Sequence, residues 1–182
     1  PALEPVPVDG VLDELERYLR PRLPRLTGGV SLRIRVQPDL PWVRANRVLL
    51  VWALENLVKN SLDALAGRRG GRIRVVARST GPEGVRIQVS DNGPGIVHGV
   101  REKLFRTGVT TKVGGWGVGL SLTRRIIEDL HDGRIRTRQR KGGGAIFEIV
   151  LPTEWHPSAG GENLADGAAM AEREDRSRVF MK

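Results

Sequence analysis

Hydrophobic residues recur at helical spacing in some stretches of the chain and alternate with polar ones in others. Over 11–23, Leu12, Leu15, Tyr18 and Leu19 share one face, which predicts a helix capped by Asp9 and weakened by Pro21 and Pro24. The run Ser31-Leu32-Arg33-Ile34-Arg35-Val36 has the two-residue period of a half-buried strand. A longer helix is predicted over 45–65, stopped by Gly67, Gly70 and Gly71. Strands at 72–78 and 85–90 follow, joined by the turn Gly81-Pro82-Glu83-Gly84. The stretch 91–117 is rich in glycine and has no steady period. It is too long for an ordinary connector, and loops of that length are usually functional. A third helix is expected from 118 to 131, closing at Asp132-Gly133. Strands at 134–140 and 145–151 then form a hairpin around Gly142-Gly143-Gly144.

This order predicts an α+β fold: a two-layer α/β sandwich, with a mixed sheet of about five strands and about three helices on one face. The expected domain covers 1–152. From 153 to 182 the periodicity dissolves, which predicts a flexible tail with a weak helical run at 165–178.

Composition changes this picture little. The 182 residues suffice for one sizeable core, and 39% hydrophobic with 28% charged residues is ordinary for a globular domain. No apolar run is long enough to cross a bilayer, and the N-terminus lacks a leader pattern. A chain that starts at Pro1 is expected to be a piece of a longer polypeptide, whose other parts could be membrane-anchored. The absence of cysteine fits a reducing, cytoplasmic compartment. The net charge of +9 raises the question of nucleic acid. The arginines are spread along the chain, as in Arg17, Arg20, Arg22, Arg25, Arg33 and Arg35, and no basic stretch is interleaved with aromatics. A solvated arginine-rich surface is therefore expected, with no nucleic-acid partner.

The second helix carries the first candidate chemistry. Asn56, Lys59, Asn60 and Asp63 stand three and four residues apart and form one stripe, opposite Leu50, Ala53, Leu54, Leu57, Leu62 and Leu65. Such a stripe is often only a solvated face. Asparagine is a mediocre helix former, however, and a carboxamide oxygen is a hard, neutral ligand suited to Mg2+. Glu55, one turn before Lys59, is expected to pair with it. Further on, Asp91-Asn92-Gly93-Pro94-Gly95-Ile96 ends a strand. A carboxylate there can accept a hydrogen bond from an exocyclic amine, and the glycines let backbone approach a ring. In Gly114-Gly115-Trp116-Gly117-Val118-Gly119-Leu120 a glycine-rich loop opens a helix, and bare N–H groups at such a terminus favour phosphate oxygens. Thr110, Thr111 and Lys112 offer hydroxyls and a cation just upstream, and Phe105 is a hydrophobic peg in a polar loop.

In order and spacing these segments resemble the Bergerat-fold ATPases, which include DNA gyrase, the ninety-kilodalton heat-shock chaperone, mismatch-repair proteins and sensor histidine kinases. Residues 56–65 resemble the N box, 91–96 the first glycine box, Phe105 the F box and 115–120 the second glycine box. The stretch 105–125, with Thr-Thr-Lys and then Gly-Trp-Gly-Val-Gly-Leu-Ser-Leu, is similar to the histidine kinases. The resemblance covers residues 8–152. It implies that Asn60 coordinates Mg2+, that Asn56 lies beside the triphosphate of ATP, and that Asp63 lines the pocket. It also implies that Asp91 binds the adenine amino group, flanked by Gly93, Gly95 and Ile96. Residues 97–116 would form the lid, including Phe105, Thr110, Thr111, Lys112 and Gly115. Lys112 and the backbone of Gly117, Val118 and Gly119, with Leu120 beside them, would hold the phosphates. Asn56 and Lys59 are the catalytic candidates.

The same resemblance implies partners. One is a dimerising helical hairpin bearing the phosphoacceptor histidine, which this sequence does not contain; another is a response regulator downstream. The isolated domain is expected to be monomeric and the parent a homodimer. His98, His131 and His156 are expected to be surface residues rather than acceptors. One departure stands out: Gly144-Ala145 replaces the usual Gly-Thr of the strand near the adenine, so a hydroxyl is missing. Alternative readings are an ATP-gated interaction module without phosphotransfer and a stand-alone serine kinase of the anti-sigma type. A chaperone- or topoisomerase-type ATPase would carry glutamate where Asn56 stands.

Overall fold

In the computed structural model of the protein, residues 1–23, 29–96, 99, 104–105 and 119–155 are described. The chain order is β1 (Glu4–Val6), α1 (Val8–Leu19), β2 (Ser31–Val36), β3 (Trp42–Ala45), α2 (Arg47–Ala64), β4 (Arg72–Ser79) and β5 (Val85–Asp91). It continues with α3 (Gly119–Arg125), β6 (Arg134–Gln139), β7 (Ala145–Leu151) and β8 (Thr153–Trp155). The main sheet has five strands in the order β2-β4-β5-β7-β6. The β2–β4 pair is parallel and the others antiparallel, so the sheet is mixed, as expected. Among the described residues, three helices pack on one face, giving the two-layer α/β sandwich.

The core follows from the alternation. Leu32 and Ile34 of β2, Ile73 and Val75 of β4, Ile87 and Val89 of β5, and Phe147 and Ile149 of β7 all point to the helix side and are buried. Leu12, Leu15 and Leu19 of α1 and Leu50, Leu54 and Leu57 of α2 close over them. On the other face, β2 presents Arg33 and Arg35, and β4 presents Arg72, Arg74 and Arg78, all exposed. β6 presents Arg134, Arg136 and Arg138 there, also exposed.

Several details differ from the sequence expectations. The first helix begins at Val8, and Asp9 lies inside its first turn, where its Oδ1 accepts from Gly10 N–H at 2.8 Å; it is not the cap. The second helix begins at Arg47, capped by Asn46, whose Oδ1 accepts from Leu49 N–H at 3.1 Å. Ala45 instead ends a strand. A second, three-stranded sheet, β1-β3-β8, goes beyond the expected elements, because its strands are only three or four residues long and offer too few positions for a period to show. Its β8 carries pairing to Trp155, and 156–182 lie outside the described residues. The third helix is a single α-helical span followed by a wider π turn, Ile126–Leu130.

Glu55 does not behave as expected either. It accepts a hydrogen bond from the Tyr18 hydroxyl, which ties α1 to α2. That bond, together with the Glu55 charge and desolvation, pushes the Tyr18 phenol above its ordinary value of 10.0, with Arg22 opposing. The Arg22 guanidinium lies 3.6 Å over the ring centroid and donates to the Tyr18 carbonyl at 2.6 Å. Tyr18 is the sole tyrosine, so an absorbance titration should report it cleanly. We expect a midpoint above pH 10 and a lower one in Glu55→Gln. Because the folded value is raised, the linked stabilisation is complete below the unfolded value and fades as pH climbs through the folded one.

Candidate nucleotide site

Asp91 is the last residue of β5, on the buried face of the strand, and is 3% exposed. A carboxylate taken out of water needs donors, and three converge on it. Its Oδ1 accepts from Gly93 N–H at 2.8 Å and from Ala145 N–H at 3.2 Å, while its Oδ2 accepts from the Ser61 hydroxyl at 3.1 Å. A carboxylate has about four acceptor directions, so these donors leave one for a further partner. The donors come from the turn after β5, the start of β7 and the last turn of α2. At position 145 the donor is the backbone N–H, which is present whether the side chain is alanine or threonine.

The glycines around Asp91 are there for space. A Cβ on Gly93 would sit 3.0 Å from Asp91 Oδ1 and 3.4 Å from the Ala64 carbonyl. Gly144 has φ +100°, and a Cβ there would run into the Asp91 carbonyl. The loop beyond is pinned from β6, where Gln139 Oε1 accepts from Ile96 N–H at 2.9 Å. Asn92 fastens the other side, with Oδ1 accepting from Arg72 N–H at 2.6 Å and Nδ2 donating to the Gly70 carbonyl at 3.0 Å.

α2 supplies the polar stripe. Asn56 and Asn60 are partly buried, and Lys59 and Asp63 are exposed on the same side of the helix. Asn56 Nδ2 is buried and has no hydrogen-bond partner. A donor in that state costs about 1–3 kcal/mol, which marks the position as one where something else is meant to bind. The start of α3 stands beside it: a Cβ on Gly119 would lie 3.7 Å from Asn56 Oδ1. Ile96, Phe105 and Leu120 are partly buried and pack on the core, which anchors the segments that carry them. Thr110, Thr111, Lys112, Gly115, Gly117 and Val118 lie outside the described residues, as do most of the expected lid, His98 and His156.

His131 is not a surface residue; it is 1% exposed. Its Nε2 accepts from Asn46 N–H at 2.9 Å, and its Nδ1 lies 2.6 Å from the Ile126 carbonyl. The Asn46 amide can only donate, so Nε2 accepts and the Nδ1–H donates to the Ile126 carbonyl. One imidazole thus joins the start of α2 to the end of α3. Both of its bonds are to backbone, which no sequence pattern records.

Sequence reasoning missed Ser61 and Gln139. Ser61 had a readable signal. It occupies a position four residues after Leu57 on the apolar side of α2, where a lone hydroxyl must find a buried acceptor. Gln139 had none, since it reaches the loop only because β6 lies beside β7.

Residues 45–154 match the family of histidine kinase-, DNA gyrase B- and HSP90-like ATPases. The C4-dicarboxylate transport sensor protein DctS of Rhodobacter capsulatus is 37% identical over 124 residues, covering 68% of this chain and 19% of DctS. The sensor protein FixL of Bradyrhizobium diazoefficiens is 38% identical over 123 residues, again 68% of this chain and 24% of FixL. The chain therefore spans about a fifth to a quarter of the length of these curated relatives. Among solved structures, the nucleotide-free catalytic domain of the histidine kinase ThkA superposes with a TM-score of 0.73 at 27% identity, over 84% of this chain and 97% of that domain. With its five-stranded mixed sheet, helices on one face and glycine-flanked Asp91, the chain belongs to this ATPase family, as a Bergerat-fold nucleotide-binding domain of the histidine-kinase type.

Proposed function

We propose that this domain binds Mg-ATP and delivers the γ-phosphoryl group to a histidine on a separate helical hairpin of its parent kinase, in two-component signalling. The observation that carries the reading is the buried, partnerless Asn56 Nδ2 beside the first residue of α3. An unmet donor at that position suits the triphosphate that the family binds. Asp91 keeps one acceptor direction for the adenine amine, and Gly93, Gly95 and Ile96 flank the base. Asn60, one turn beyond Asn56, offers a carboxamide oxygen to Mg2+, and Asp63 borders the pocket. Lys59, Thr110, Thr111 and Lys112 add hydroxyls and positive charge for the phosphates.

The donor set suits the metal. Mg2+ is usually held by one or two protein oxygens plus substrate phosphates and water, not by a dedicated cage. Among the described residues no group of three His, Cys, Asp or Glu side chains is placed to form such a cage. When bound, the ion neutralises charge on the phosphates. The chain's own residues fix the base, orient the triphosphate and exclude water. In the transfer the bond from the γ-phosphorus to the bridging oxygen breaks and a bond to an imidazole nitrogen forms, so catalysis rests on positioning and charge.

Two related structures support this reading. Full-length ShkA was solved in complex with AMPPNP, and ThkA in complex with the response regulator protein TrrA. By extension, the partners proposed here are the parent's phosphoacceptor hairpin and a response regulator, with the domain in the cytoplasm and spanning residues 1–152. Asn60→Ala is expected to weaken Mg-dependent ATP binding by at least about tenfold, while metal-free binding changes little; calorimetry with and without Mg2+ reads this. Incubating the domain with labelled ATP and the parent's hairpin should give acid-labile phosphohistidine. Intact ATP binding without that product would favour an ATP-gated module instead.

A further inference from the structure

The arginines that look scattered along the sequence converge in space. The helices cover one face of the five-stranded sheet, and no described element covers the other. Pairing register arranges that open face in rows. One row runs Arg33, Arg74, Ser90, Ile146 and Arg138 across the strands. The next runs Arg35, Val76, Gln88, Glu148 and Arg136. A third runs Arg78, Arg86, Val150 and Arg134. Each row therefore ends in arginine on both sides; Ser90, Ile146, Val76, Gln88 and Val150 lie between, with Arg74, Arg86 and Glu148 as the charged members.

Glu148 is the one carboxylate among the described residues of this face, and it is already engaged. It accepts from Gln88 Nε2 at 2.6 Å and lies 3.7 Å from Arg86 Nε, which itself has no hydrogen-bond partner. The outer arginines, in contrast, have no other acid among the described residues of the face. A shallow depression bounded by Arg35, Val76 and Arg78 opens on the β2–β4 side.

We propose that this open face docks an amphipathic helix of a partner protein, with a small apolar patch over the half-buried Val150, beside the buried Ile146, and acidic residues along both flanks. The walls formed by β4 and β6 stand three strand spacings apart, about 14 Å, and a helix with its side chains is about 10–12 Å across. A neutral, partly apolar centre with a charged rim is the anatomy of a protein interface. Arginine forks suit carboxylates on such a rim. A nucleic-acid duplex fits less well, because its phosphates would meet Glu148 and the apolar side chains at the centre. A bilayer fits less well too. Strands twist by roughly 20–25° each, so β4 and β6 differ by about 60–75° and no plane reaches both walls. The face lies across the sheet from α2, so this docking is independent of the nucleotide site.

The test uses the whole chain and a fluorescent helical peptide with leucines in one stripe and glutamates on both flanks, at about 0.15 M salt. Saturable binding is expected, and the same peptide with glutamine flanks should bind weakly. The face variant Arg74→Ser/Arg136→Ser/Arg138→Ser should lose about tenfold or more in affinity and keep its ATP binding, which verifies the fold. The control Arg17→Ser/Arg68→Ser/Arg69→Ser should retain peptide binding. Equal losses in the two triple variants, or no saturable binding, would overturn the proposal. So would tighter binding to duplex DNA or to anionic vesicles at the same salt.

Discussion

Asp91→Asn is expected to weaken ATP binding by about 10–100-fold and to erase the preference for adenine over guanine, while the domain stays folded. The asymmetry comes from who surrounds the side chain. Asparagine keeps one oxygen, which can serve Gly93 N–H and Ala145 N–H at the Oδ1 position. Its amide nitrogen then faces the Ser61 hydroxyl, which can rotate to accept. The internal network survives with little loss. The remaining direction changes from acceptor to donor, and an exocyclic amine has nothing to bond. Asp91→Ala is the contrasting variant: it strands all three donors in a buried site, at about 1–3 kcal/mol each, and should lower the melting temperature sharply. Calorimetric titration with ATP and GTP, beside thermal melts of both variants, separates the two effects. An asparagine variant that binds ATP like the parent sequence would remove Asp91 from the base-recognition role.

Gly144→Ala should be one of the two most damaging changes of a single methyl group, alongside Gly84→Ala, whose added Cβ would strike the Leu151 carbonyl. The residue has φ +100°, which side chains rarely adopt, and the new Cβ would drive into the Asp91 carbonyl and within 3.0 Å of Asn92 Cα. Backbone strain and overpacking together are expected to destabilise by about 2–5 kcal/mol. Both atoms struck are backbone, so no side-chain rotation relieves the clash. Nucleotide binding should fall as well, because the displaced segment carries Asp91. Gly142→Ala serves as the comparison. Its φ is +82° but nothing lies within 4 Å of the added atom, so only backbone strain, about 1 kcal/mol, is expected. Urea unfolding of the two variants measures the difference, and equal midpoints would show that the contact with Asp91 is not what fixes Gly144.

Residues that act through local pattern are legible in the sequence. The alternation of 31–36 and 145–151 predicts strands with the bounds they have in the fold, because each side chain reports its own face. The polar stripe of α2 and the Asp91 turn are readable because residue type and spacing carry the chemistry. What escapes acts at a distance. The β1-β3-β8 sheet is made of segments too short for a period, and its strands find each other only in the folded chain. The expected pairing of Glu55 with Lys59 leaves out α1, which brings Tyr18 to the carboxylate across the helix boundary. His131 reads as a surface residue at a helix end because its two partners are a backbone amide and a backbone carbonyl. The convergence of the arginines is invisible for a different reason: each strand shows its own, and only the pairing register lines them up.

The three donors to Asp91 sit at positions 61, 93 and 145. During synthesis the first two emerge well before the last, and β5 lacks its neighbour until β7 has been made. With translation at about 5–20 residues per second, several seconds separate the carboxylate from its final amide. A nascent chain thus carries every motif on the α2 side yet holds no finished base pocket. Fragments ending before residue 145 would lack the Ala145 amide, so the proposed base pocket exists only in the completed fold.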